Sequence, residues 1–160
     1  MLFEQFKHKL IISCQALPDE PLHSPFIMGR MALAAKQVGA VAIRCQSVDD
    51  IVEIKKVTGL PVIGLIKQNY DDSEIYITPT AKEIQALIDC GCEIIALDAT
   101  LRKRPNDEKL EDLVKMIKDA GRLSLADISN DEEGVNAEKI GFDAVSTTLS
   151  GYTPYSPHLK

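Results

Sequence analysis

Residues 93–129, EIIALDATLRKRPNDEKLEDLVKMIKDAGRLSLADIS, contain one complete unit of the pattern that organises the chain. An apolar, β-branched run, EIIALDA at 93–99, reads as a strand. The segment EKLEDLVKMIKDA places apolar residues at helical spacing. Gly121 then stands just past that helix, and LSLADIS at 123–129 opens the next strand.

The same unit repeats in both directions. Strand-like runs occur at 10–16 (LIISCQA), 41–46 (VAIRCQ), 61–68 (PVIGLIKQ) and 144–150 (AVSTTLS), which with the two above makes six strands. Between them FIMGRMALAAKQV, DDIVEIKKV, AKEIQALIDC and EEGVNAEKI carry helical periodicity, giving five intervening helices in all. Gly39, Gly59, Gly91, Gly121 and Gly141 each follow a helical segment, where a left-handed residue ends a helix. Thr80 with Glu83 three residues on has the form of a capping box, and Asn106 or Asp107 is placed to cap a helix beginning near Glu108.

Strands alternating with helices at spacings of about 20 to 30 residues imply parallel pairing through right-handed crossovers, hence a barrel or a doubly wound sheet. Nearly every strand ends on a polar or ionisable residue: Gln15, Arg44, Lys67, Asp98, Asp127, and Thr147 or Thr148. Side chains converging from many strand ends are how a (β/α)8 barrel builds an active site on its C-terminal face. A doubly wound fold gathers its ligand groups at one or two crevices, often with a glycine-rich first turn, which ALPDEPL is not. The expected fold is therefore α/β, a single domain over 1–160 with about six β/α units of a TIM barrel.

Composition narrows the function classes. The chain has 160 residues, 45% of them hydrophobic, and a formal net charge of −6 with scattered lysines and arginines, so no basic stripe for nucleic acid forms. No apolar run reaches the roughly 18 to 20 residues that span a bilayer, and MLFEQFKHKL has no signal-peptide core. Cytoplasmic location is expected. Cys14, Cys45, Cys90 and Cys92 fall in or beside predicted strands and helices, as reduced core thiols do. Cys90 and Cys92 are too closely spaced for a zinc knuckle, so no metal is expected. Homo-oligomerisation is left open by the sequence.

Taken together, SCQALPDEPLHS, MALAAKQVGAVAIR, GLPVIGLIKQNYDDSEIYITPT, EIIALDATLRKRP, LADIS and GFDAVSTTLSGYT resemble the N-acetylmannosamine-6-phosphate 2-epimerases of sialic acid catabolism. The resemblance covers essentially the whole chain. It implies a cofactor-independent isomerase that inverts C2 of an N-acylated hexosamine 6-phosphate by proton transfer. It also implies two further strands, with a glutamate on the seventh and glycine-rich phosphate loops, so a catalytically incompetent barrel fragment is the alternative reading.

Within that resemblance Lys67, at the end of GLIKQ, corresponds to the acid/base lysine. An ordinary lysine is protonated at neutral pH, so Lys67 needs desolvation or a neighbouring cation, and Arg44 is placed to supply one. Arg44 is also expected to hold substrate oxygens through its forked guanidinium. Gln15 and Asp127 are expected to bind sugar hydroxyls and Thr147 to shape the pocket, with Asp98 as readily structural as functional. His23 reads as a polar loop residue, Tyr152 and Tyr155 more as frayed tail than pocket wall, and His8 and His158 carry no assignment.

Overall fold

The computed structural model describes residues 2–156, so His158 lies outside the described residues. After a short helix α1 (Leu2–Phe6), the chain alternates β1 (Ile11–Cys14), α2 (Pro25–Gln37), β2 (Ala42–Gln46), α3 (Val48–Thr58), β3 (Val62–Leu65), α4 (Ala81–Asp89), β4 (Ile94–Asp98), α5 (Leu110–Asp119), β5 (Leu123–Asp127), α6 (Asp131–Ile140) and β6 (Ala144–Ser146). The six strands form one sheet in the order β1-β2-β3-β4-β5-β6, each neighbouring pair parallel. A doubly wound sheet reverses its strand order at a switch point. This one does not, as a barrel requires.

The sheet is curled. Arg44 on β2 touches Asp127 on β5 at 2.7 Å, although three strand spacings on a flat sheet would separate their backbones by about 14 Å. Strand alternation therefore sorts side chains onto a concave and a convex face. Ala42, Ile63, Leu65, Ile94, Ala96 and Leu125 pack on the concave face. Ile43, Cys45, Val62, Ile95 and Leu97 turn outward onto the helices, so Val62 belongs to the helix layer rather than to the wall beneath Lys67. Burial pushes the Cys92 thiol up to about 12 and keeps it protonated.

Local signals explain most boundaries. Gly59 and Gly141 end α3 and α6 with φ of 64° and 97°, a conformation that costs glycine nothing and other residues strain. Thr80 and Glu83 form the expected capping box on α4. The start of α5 differs from expectation. Pro105–Asp107 form a separate 3-10 turn, α5 begins at Leu110, and its N-cap, Lys109, makes no side-chain capping bond. Glu108 is drawn instead to the first turn of α4, where its carboxylate accepts from Ala81 N at 2.8 Å.

Gly64 on β3 faces the helices at a point where no side chain fits. A Cβ there would lie 2.5 Å from Cys92 Sγ and 2.7 Å from Ile51 Cδ1. Gly64→Ala is expected to cost about 1–3 kcal/mol through overpacking, measured as a lower urea midpoint at constant m-value. An unchanged midpoint would show that β3 and α3 separate freely.

Candidate active site

The concave face of β2 presents Ala42, Arg44 and Gln46 in succession. Arg44 does not terminate its strand: β2 continues to Gln46, which puts Arg44 one layer deeper than the sequence suggests, level with Ser13 and Ile63. From that depth its guanidinium crosses the concave face to Asp127, the last residue of β5. Nη1 donates to Oδ1 at 3.1 Å and Nη2 to Oδ2 at 2.7 Å. The Asp127 side chain is fully buried and that of Arg44 nearly so.

Asp98 ends β4 directly beside Asp127 in register. Two buried carboxylates side by side would repel, and each has its own arginine. Asp98 Oδ1 accepts from Thr100 N at 2.9 Å and Thr100 Oγ1 at 2.7 Å, while Oδ2 accepts from Arg102 Nη2 at 2.7 Å. These bonds occupy Asp98 as an anchor for the β4–α5 loop.

Lys67 lies two residues past the end of β3, continuing the inward stripe Ile63, Leu65. Its backbone is held by a return of the chain: residues 76–78 run back antiparallel to 66–68, with Lys67 opposite Ile77. Gln68 N donates to Tyr76 O at 2.9 Å and Thr78 N to Ile66 O at 2.7 Å. The Thr78 hydroxyl ties this return to β4 through Ala96 O at 2.6 Å. Lys67 itself makes no ion pair among the described residues.

The other expected residues divide. Gln15 follows β1 and donates Nε2 to Ser13 Oγ at 2.8 Å, while its Oε1 is buried with no partner among the described residues. A buried acceptor without a donor is uncommon, and this one is free to accept from a ligand hydroxyl. Thr147 is not brought to this group. It is exposed and lines a separate cavity with Ile128–Asp131 and Ser150, because strand alternation turns it outward. Thr148 is the inward residue of the pair, bonded to Ser146 Oγ at 2.7 Å and close enough to Asp127 to stabilise its carboxylate. His23 braces its loop through Ala16 O at 3.1 Å. Tyr155 is no frayed end, since its hydroxyl donates to Glu133 Oε1 at 2.7 Å beside the buried Thr153; Tyr152 is exposed.

Charge and burial set the site's chemistry. The Lys67 ammonium is destabilised first by burial and then by the positive Arg44, which lower its pKa below the usual lysine range; Glu20 in the β1–α2 loop acts weakly the other way. Burial pushes the Asp127 carboxyl up, and the charge and hydrogen bonds of Arg44 offset part of that rise. The mouth thus combines an amine inclined to lose its proton with a fixed guanidinium.

Four residues at this mouth went unassigned in the sequence. Glu20 faces Lys67. Arg104 is buried and donates to three carbonyls, Pro79 O, Asp98 O and Thr78 O, clamping the β3–α4 return onto β4, and burial lowers its pKa to about 10. Arg102 holds Asp98, and Tyr76 packs against the concave core. The run RKR at 102–104 was the only signal for the arginines, and a surface reading of it was as natural as a buried one.

Comparison with known proteins bears on this geometry. Residues 28–158 match a family described as "Putative N-acetylmannosamine-6-phosphate epimerase". Among curated relatives, a "Putative N-acetylmannosamine-6-phosphate 2-epimerase" of Clostridium perfringens strain SM101 is 68% identical over 97% of this chain and 70% of its own length. One from Clostridioides difficile strain 630 is 64% identical over 99% of this chain and 71% of its own. A solved structure of the N-acetylmannosamine-6-phosphate 2-epimerase from Clostridium perfringens superposes with a TM-score of 0.98 at 66% identity, covering 99% of this chain and 69% of that one. This chain thus spans about 70% of the length of these relatives.

The position of Lys67 has a consequence for stability. Its folded-state pKa is below the unfolded value, so the folded chain binds fewer protons between the two, and stability rises with pH through that window toward about 10.5. Lys67→Met removes the penalty. The variant is expected to be more stable than wild type at neutral pH, with the advantage shrinking as pH approaches 10.5. Thermal midpoints collected across pH 7–10.5 check this, and a pH-independent difference would show that the Lys67 amine is not desolvated.

Proposed function

The chain belongs to the N-acetylmannosamine-6-phosphate epimerase family, and from that membership we propose that it interconverts N-acetylmannosamine 6-phosphate and N-acetylglucosamine 6-phosphate by moving the proton on C2. The observation that carries this reading is the placement of Lys67 on the inward stripe of β3, beside Arg44 and with its ammonium destabilised. The comparisons support an enzyme rather than an inactive barrel.

The substrate enters in its open-chain form, where the C1 aldehyde acidifies the C2–H bond. Neutral Lys67 takes that proton, and the electron pair delocalises onto the C1 oxygen as an enolate. Arg44 stabilises the oxygen, because its guanidinium is already oriented and pays no reorganisation as charge develops. Once the enolate has turned its opposite face toward the now protonated Lys67, that ammonium returns a proton to C2, which completes the inversion and restores the neutral amine. No redox change occurs, and the proposed mechanism calls on Lys67 and Arg44 without a redox cofactor.

Asp127 acts first on Arg44. Both its oxygens accept from the guanidinium, and each retains a lone pair able to accept from a sugar hydroxyl. Gln15 Oε1, buried without a partner among the described residues, accepts from a second hydroxyl. Of Thr147 and Thr148 we assign the substrate contact to Thr148, on the strength of its nearness to Asp127. Among the described residues no helix is long and apolar enough to cross a membrane. We place the protein in the cytoplasm, acting on a small phosphorylated amino sugar rather than on nucleic acid or a membrane.

Two outcomes test this reading. Lys67→Ala is expected to abolish incorporation of solvent deuterium at C2, measured by proton NMR, while sugar-phosphate binding persists; undiminished exchange would remove Lys67 from the mechanism. Arg44→Lys keeps the charge but not the fork, and kcat/KM in a coupled assay is expected to fall by about 100-fold, in line with loss of one transition-state donor. Near-normal turnover would reduce Arg44 to a structural role.

A further inference from the structure

We propose that Tyr76 and Arg102 form the subsite that recognises the N-acyl group of the substrate, an inference that rests on the function proposed above. The acylamino nitrogen is bonded to C2, the carbon that must reach Lys67. The acyl group is therefore confined to the part of the mouth next to Lys67.

On the β2 side of Lys67 the fixed group is Arg44, with Nη1 and Nη2 engaged by Asp127. On the β4 side the chain returns along Lys67, and Tyr76 occupies that return one residue from Ile77, the direct partner of Lys67. The Tyr76 ring is half-buried against the concave core. Its hydroxyl makes no hydrogen bond among the described residues, and Asp98 N donates to Ile77 O at 3.1 Å, which ties this return to β4 beside the Asp98–Arg102 ion pair. An aromatic face at this point suits a small alkyl group.

Arg102 supplies the polar half. Nη2 is committed to Asp98 at 2.7 Å and Nε to Thr100 Oγ1 at 3.0 Å, which fixes the plane of the guanidinium. Nη1 has no partner among the described residues. A fixed N–H beside an aromatic ring is complementary to an acyl carbonyl next to a methyl group. Asp98 accordingly acts through Arg102, as a positioning residue.

The test compares kcat/KM for two acyl homologues of the hexosamine 6-phosphate, N-acetyl and N-butanoyl. Tyr76→Ala is expected to lower the preference for the acetyl form by about tenfold, the scale at which a hydrophobic pocket discriminates added methylenes. Arg102→Lys, which keeps a cation beside Asp98, is expected to lower kcat/KM for both homologues by about tenfold, the worth of one hydrogen bond, and to leave their ratio unchanged. Should Tyr76→Ala fail to fold, Tyr76→Leu provides the same comparison with an apolar cover retained. A ratio unmoved by the Tyr76 variant in protein with native circular dichroism, or an Arg102→Lys variant that keeps wild-type kcat/KM for both homologues, overturns the subsite. Failure of the wild-type protein to epimerise either homologue overturns the function itself, so the two failures are distinguishable.

Discussion

The Arg44–Asp127 pair joins the second strand to the fifth across the concave face of the sheet. Its geometry requires the curl, and the curl brings the remaining strand ends within reach of one ligand. Because both carboxylate oxygens are engaged, the pair is fixed in plane as well as in distance. Breaking such a buried pair by deleting one partner typically costs about 3–5 kcal/mol, since the other charge is left unsolvated. The same interaction therefore shapes the fold, holds a guanidinium at the site and leaves a positive field in which Lys67 must sit.

A charge balance follows from the neighbouring strand. Asp98 and Asp127 are adjacent, and each is neutralised by a separate arginine. Had either carboxylate been left unpaired near Lys67, it would have favoured the ammonium. With both acids committed elsewhere, burial and Arg44 dominate and the lysine is pushed toward its neutral form. In the mechanism proposed for Lys67, its readiness to give up a proton depends less on what touches it than on what has been kept from touching it.

Much of this was legible in the letters, for identifiable reasons. The apolar runs and the glycines after each helix marked six strands and five helices, because backbone conformation at a helix end is decided locally. Lys67 and Asp127 were visible as ionisable residues at the ends of strand-like runs. Arg44 was assigned one layer too high because the ionisable residue was taken as the strand end, although the strand-like run itself extends through Gln46, where β2 ends. Thr147 and Thr148 could not be separated without the register of β6, since a shift of one residue exchanges the two faces. Arg104, which binds three carbonyls from two segments, is written in the sequence only as one of several charged residues in a loop. Contacts between distant segments leave no trace in local pattern.

The central claim is that burial and Arg44 together tune Lys67 to lose a proton. Direct titration of the Lys67 side chain by NMR, in wild-type protein and in Arg44→Met, tests it without reference to turnover. The account predicts a wild-type midpoint below the ordinary lysine value of about 10.5 and an upward shift in the variant, where a repelling cation is gone and Asp127 is freed. A wild-type midpoint at or above that value, or one that Arg44→Met leaves in place, would contradict it.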